Sequence, residues 1–149
     1  MAETGFSTFT TTVDKTNAIL HEIEAAHGWP KERRSQSYTA MRAVLHALRD
    51  RLTVQEAVQL GAQLPMLVRG VYYDGWEPSR VPMKMSADQF LDRVRREFPY
   101  SVPGGIDPVM RSVLLALRRH ISDGEWQDTL AVMPTELRAR LADWAKSPG

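Results

Sequence analysis

The chain has 149 residues, 43% of them hydrophobic and 25% charged, with a net charge of +1 and no cysteine. That composition is globular and argues against wholesale disorder; it excludes a disulfide frame or a thiolate metal site, and its weak charge argues against a nucleic-acid partner, which usually meets a strongly basic face. No apolar run reaches the roughly 18 residues that span a bilayer, and the opening MAETGFSTFTTT lacks the basic-then-apolar layout of a secretory signal, so a cytoplasmic protein without membrane insertion is expected.

Helical punctuation dominates the chain. Thr11 to Asp14 reads as a cap, followed by Val13, Thr16, Ile19, Leu20, Ile23 and His27 at helical spacing, with Gly28-Trp29-Pro30 as the stop. After a basic connector over 31–36, a second helix should turn Tyr38, Met41, Val44, Leu45 and Leu48 inward and Arg42, Arg49 and Arg51 largely outward. Thr53-Val-Gln-Glu56 is a capping box that starts a third helix through about Gln63. Pro65 ends that helix and can open a fourth running into Tyr73, since a first-turn amide has no intrahelical partner to lose.

Gly75, Pro78 and Pro82 mark a loop over 75–85. Ser86-Ala-Asp-Gln89 is the next capping box, with Phe90, Leu91, Val94 and Phe98 as the apolar stripe behind it. Asp107-Pro108 reads as an N-cap followed by proline at the first helical position. Ser122-Asp-Gly-Glu125 begins a seventh helix, Pro134 an eighth, and Ser147-Pro148-Gly149 a stop. Val71-Tyr72-Tyr73 has β propensity but is too short to compete, so the expected class is all-α.

The second half of this grammar repeats the first. Ala40–Arg69 realigns without a gap on Val109–Arg138 at a shift of about 69 residues, with about eleven of some thirty pairs identical. MRAVLHALRDRL becomes MRSVLLALRRHI, and AQLPMLVR becomes AVMPTELR. The expectation is a tandem duplication of a roughly four-helix unit, packed as one pseudo-symmetric helical domain. Its repeats span about 9–76 and 86–146, with a linker at about 77–85. About 70 residues is marginal for an independent core, which favours pairing over two separate bundles.

The run LRDRLTVQEAVQLGAQLPMLVRGVYYDGW (Leu48 to Trp76) resembles the bacterial family known as domain of unknown function 2267 (DUF2267). The elements that carry the likeness are AVLHALRDRL, the Thr-x-x-Glu cap, the A-x-LP-x-x-(V)R step and the YY-x-GW close. The later half keeps them more loosely and ends Ala-Asp-Trp144. The resemblance implies an all-helical duplicated fold in a soluble bacterial protein, and no activity or catalytic residues come with it.

Chemistry-bearing patterns are sparse. Arg42 and Arg49 recur as Arg111 and Arg118, Glu56 as Glu125, and Arg69 as Arg138. Guanidinium forks suit phosphate or carboxylate, yet these arginines can equally pair with the glutamates or with helix-end carbonyls, and their joint recurrence favours that structural reading. His21, His27, His46 and His120 form no His-Glu-x-x-His array, and no Gly-x-Ser-x-Gly elbow or phosphate-cradling loop is present. Asp74, Glu77, Asp88 and Asp92 leave a carboxylate pair open without singling one out. No catalytic residue, cofactor or metal is expected.

The least bland stretch is Leu64 to Trp76, whose apolar content exceeds what one helix face buries. Its side chains can fill the seam between repeats, or face a partner, since aromatic, Met and Arg enrichment marks interface cores. The leading expectation is a non-enzymatic helical module for protein interaction or self-association through Met66, Tyr72, Tyr73, Trp76, Met83 and Met85, with a protein partner or a second copy. Two alternatives stay open: an anionic-ligand or nucleic-acid binder using Arg42, Arg49, Arg111 and Arg118, or a small-ligand or enzyme pocket at the seam between repeats.

Overall fold

A computed structural model describes residues 6–147; the chain start read for a signal and the Pro148-Gly149 part of the final stop lie outside the described residues. Eight α-helices run α1 (Ser7–His27), α2 (Arg34–Arg51), α3 (Val54–Gln63), α4 (Met66–Tyr73), α5 (Ala87–Glu97), α6 (Ile106–Arg118), α7 (Asp123–Ala131) and α8 (Thr135–Trp144), with 3-10 turns at Lys31–Arg33 and Pro78–Arg80. No strand occurs among the described residues, so the protein is all-α.

The helix starts follow local chemistry, with two corrections. Thr53, Ser86 and Ser122 each accept the backbone N–H three residues on, satisfying a donor that the first turn leaves unpaired. Only Ser86 is answered by a reciprocal side chain, Gln89. The Ser122 N–H is instead taken by Gln63 Oε1 of α3 at 2.9 Å, which leaves Glu125 free of a capping role. The first correction concerns α1, which begins at Ser7 rather than near Thr11. Thr12 is a cap for another helix: its hydroxyl accepts the Leu67 N–H of α4 at 2.8 Å, one of the donors that α4 cannot satisfy itself. The second concerns α6, which starts at Ile106 behind Gly105 (φ 78°). Asp107 and Pro108 thus sit inside the first turn, where a missing N–H breaks no helical bond.

Buried side chains from all eight helices form one apolar cluster, among them Ile23, Leu48, Leu60, Val68, Phe90, Leu117, Leu130 and Leu141. The packing interlocks the two halves. α2 lies against α5, α1 against α6, and α3 against α7, while α4 and α8 pack on α2 and α6 respectively. Exchanging α1–α4 with α5–α8 maps this set of pairings onto itself. Arg69 reinforces the parallel. It donates to the carbonyls of Gly61, Ala62 and Leu64 at the end of α3, and Arg138 donates to those of Leu130, Ala131 and Met133 at the end of α7. A guanidinium suits this place because the last carbonyls of a helix lack intrahelical donors and carry its negative pole.

Candidate functional site

A buried ionic network anchors the most distinctive surface of the protein. Arg49 is 3% exposed rather than outward-facing. Its guanidinium grips the neighbouring Asp50 carboxylate at 2.8 and 3.2 Å and donates to the Tyr72 and Asp74 carbonyls where α4 ends. Asp50 also receives Arg93 of α5 at 2.7 Å, and Arg93 donates onward to Glu97. Burial alone would raise the Asp50 carboxyl; the hydrogen bonds from Arg49 and Arg93 outweigh it and hold it below its ordinary value. α2, α4 and α5 are thereby locked together, and the Asp50 carbonyl fixes the connector by accepting the Met83 N–H at 2.7 Å.

Above this network lies an open cleft of about 370 Å³, walled by α2, the 74–83 connector and α5. Five arginines (Arg42, Arg49, Arg80, Arg93 and Arg96) face four carboxylates (Asp50, Asp74, Glu77 and Glu97), with His46 among them. Guanidinium capacity is left over. Arg42 reaches only the exposed Asp74, through one terminal nitrogen at 3.2 Å. Arg93 Nη1 takes no part in the bonds to Asp50 and Glu97. The Arg96 side chain has no hydrogen bond or ion pair among the described residues.

His46 is 3% exposed, and its Nε2 lies 2.7 Å from the Val71 carbonyl. A carbonyl can only accept, so Nε2 carries the hydrogen and Nδ1 of the neutral ring is bare. Burial lowers the pKa of this imidazole, and the charges of Arg49 and Arg42 lower it further. Nδ1 is not among the buried atoms lacking partners and makes no hydrogen bond. It therefore touches solvent, through the cleft that His46 lines.

The two sequence-derived sets divide sharply at this site. Of the four arginines proposed for anions, Arg42 and Arg49 line the cleft, but Arg49 has its donors committed to Asp50 and backbone carbonyls. Arg111 binds Asp143 and the Asp143 and Lys146 carbonyls; Arg118 binds Asp123 and the Ile121 carbonyl. None of the four pairs with Glu56 or Glu125. Sequence reasoning missed Arg80, Arg93, Arg96 and His46 as members of one site. The short basic run over 93–96 was the available signal, but only the packing of α5 on α2 places it opposite Arg42.

Of the interaction candidates, Tyr72 is fully buried and donates to the Ala57 carbonyl at 2.8 Å; burial pushes its phenol pKa up. It is a core residue with no face to offer a partner. Tyr73, Trp76 and Met85 pack half-buried against the core, and the Tyr73 ring meets Tyr72 edge-on and Trp76 at a tilt. Met83 lines the cleft and, with Met85, an adjoining hollow beside Arg93 and Arg96. Met66 is exposed, as is Leu67. Tyr38, expected inward, is exposed as well. The inner face at that point is Ser37, held with Arg34 by the buried Glu24 carboxylate.

Glu125 turns inward to accept from Thr129. Burial, and then the nearby charge of Glu56 across the α3–α7 contact, raise its pKa. His27 Nε2 lies 2.8 Å from Ser112 Oγ and ties the end of α1 to α6. Among the described residues, no three His, Cys, Asp or Glu side chains are grouped to hold a metal ion, and no helix is long and apolar enough to cross a membrane.

Residues 16–139 match the family described as "Uncharacterized conserved protein (DUF2267)". The chain belongs to that family. No curated protein matches it.

Proposed function

We propose that this protein is a non-enzymatic helical module that binds a small anionic ligand in the cleft between α2, the 74–83 connector and α5. The observation that carries this reading is the unused guanidinium capacity on its walls: Arg96 without a carboxylate, Arg93 with Nη1 spare, and Arg42 tied only to an exposed aspartate. The Arg49–Asp50–Arg93 network would preorganise those walls, since a ligand then meets side chains already fixed in place. A volume of about 370 Å³ falls within the range of small-molecule sites. Calorimetric titration with inorganic phosphate tests the reading. Binding should weaken as salt is added, and Arg96→Ala should reduce affinity about tenfold, the loss expected for one charge-assisted hydrogen bond. Affinity unchanged from the native protein in both Arg42→Ala and Arg96→Ala would overturn it.

The same reading takes α1–α4 and α5–α8 as two copies of one unit packed as a single cytoplasmic domain. The exchangeable packing scheme and the matched carbonyl bonds of Arg69 and Arg138 support that view.

A second reading, self-association, rests on a different surface. Phe9 and Val13 on α1 and Met66 and Leu67 on α4 are exposed apolar side chains on two helices joined by the Leu67–Thr12 hydrogen bond, and such patches commonly meet a second chain. Solution mass at high concentration should then exceed one chain and return to it in Met66→Lys/Leu67→Lys. A monomer at every concentration would eliminate this reading.

A further inference from the structure

The cleft carries acceptors as well as donors, and that mixture narrows the ligand. A site built for any anion would surround it with donors alone, because each carboxylate on the wall repels a fully ionised guest. Here Asp50, Asp74, Glu77 and Glu97 share the wall with the arginines. At its floor His46 presents a bare Nδ1, because Val71 fixes the hydrogen on Nε2. Such a wall favours a guest that accepts from guanidinium and also donates one hydrogen bond.

We propose that the cleft selects a singly protonated phosphate over sulfate or a carboxylate, with His46 Nδ1 accepting the phosphate O–H while Arg42, Arg93 and Arg96 donate to the remaining oxygens. This rests on the anion-binding reading above. Hydrogen phosphate keeps a hydroxyl near neutral pH, whereas sulfate has the same shape and no hydrogen to give. A buried acceptor facing sulfate would be left unpaired, and sites that hydrogen-bond one group discriminate strongly against analogues that lack it. From the elements around it His46 faces Arg42, Arg49 and Asp50 on α2, the Val71 carbonyl of α4, Asp74, Glu77 and Arg80 on the connector, and Arg93, Arg96 and Glu97 on α5. Burial, and then the charges of Arg49 and Arg42, favour the neutral ring. Free phosphate keeps this hydroxyl near neutral pH, whereas the dianion of a phosphate monoester does not, so the proposal commits to inorganic phosphate.

The test is a paired titration of the intact protein with inorganic phosphate and with sulfate at about pH 7.5, above the usual imidazole range. Phosphate should bind at least about tenfold more tightly, the discrimination expected when a buried acceptor is left unpaired. His46→Leu, which installs the residue that stands at position 115, should collapse that preference, and His46→Gln should retain it, because its amide can donate to Val71 and accept from phosphate. Acidification that protonates His46 should bring sulfate binding up, a measurement on the unaltered protein that needs no variant to fold. A phosphate monoester that binds at about pH 7.5 as tightly as inorganic phosphate would overturn the hydroxyl reading, because the monoester has lost its proton there. Equal binding of phosphate and sulfate would also overturn it while leaving the anion site standing. Binding of neither anion would remove both this proposal and the reading it rests on.

Discussion

In α1–α4, Arg49 is enclosed by Asp50 and two backbone carbonyls, and the next turn carries His46. In α5–α8 the matching Arg118 lies over Trp126 and reaches Asp123, whose side chain is 95% exposed, while Leu115 stands where His46 would be. The same arginine at the same helical position is a buried anchor in one half and a surface contact in the other. Asp50 is the cause: its counterpart is Arg119, which turns away to bind Glu22 of α1. A single carboxylate beside the arginine therefore converts a capping interaction into the floor of a polar cleft. The aromatic close differs in a complementary way. Gly61 leaves room for Tyr73, whose hydroxyl would lie 2.5 Å from any Cβ added there; the other half places Leu130 and Ala142 at these positions. Bulk has moved from one helix to its neighbour.

The sharpest way to break this contrast is to remove the carboxylate. Asp50→Asn strands Arg49 in the core and should cost about 3–5 kcal/mol in urea unfolding, whereas Asp123→Asn should cost under about 1 kcal/mol because its arginine is partly solvated. Similar costs would mean that the two arginines are equivalent after all. Where the halves share one core, the contrast should vanish. Leu48→Ala and Leu117→Ala, both 1% exposed, should each lose about 2–5 kcal/mol, and markedly unequal losses would show that one half carries the stability.

The exchange of bulk can be tested by transplanting it. Tyr73→Ala should cost about 2–3 kcal/mol, and Gly61→Leu/Tyr73→Ala, which reproduces the Leu130–Ala142 arrangement, should recover about 1 kcal/mol or more. No recovery would show that the two arrangements are not interchangeable. The smallest effect concerns pH, and its sign differs between the halves. Asp50 is held low, so its contribution is present above the ordinary aspartate value of about 3.9 and is lost as pH falls through the lowered one. Glu125 is held high, so its contribution is present below the ordinary glutamate value of about 4.3 and is lost as pH rises through the raised one. Unfolding free energies across acid pH should show both slopes, and Glu125→Gln should flatten only the second.

Most of the fold was legible because helix starts and stops are local chemistry. Thr53, Ser86, Ser122, Pro65 and Pro134 each mark a boundary within a residue or two of where it lies. The misread start at Thr11 fails for a nonlocal reason, since Thr12 caps α4 across the fold. The site was less legible. Arg42 and Arg49 stood out by repetition, but Arg93 and Arg96 reach the cleft only because α5 packs on α2, a pairing no local pattern encodes. Helical spacing also misjudged Arg49. A charge on the inner face reads as outward unless its partner is known, and here the partners are the adjacent Asp50 and the backbone at the end of α4. The aromatic surplus over Leu64–Trp76 was visible; that Gly61 makes room for Tyr73 was not.

The central proposal, a phosphate-binding cleft between α2, the 74–83 connector and α5, meets its most direct test in amide NMR spectra recorded during titration with inorganic phosphate. Resonances of residues 42–50, 74–83 and 93–97 should shift together and saturate, while those of Arg111, Arg118 and Asp123 stay in place. Shifts centred on the second set, or spread equally over both, would contradict the proposal.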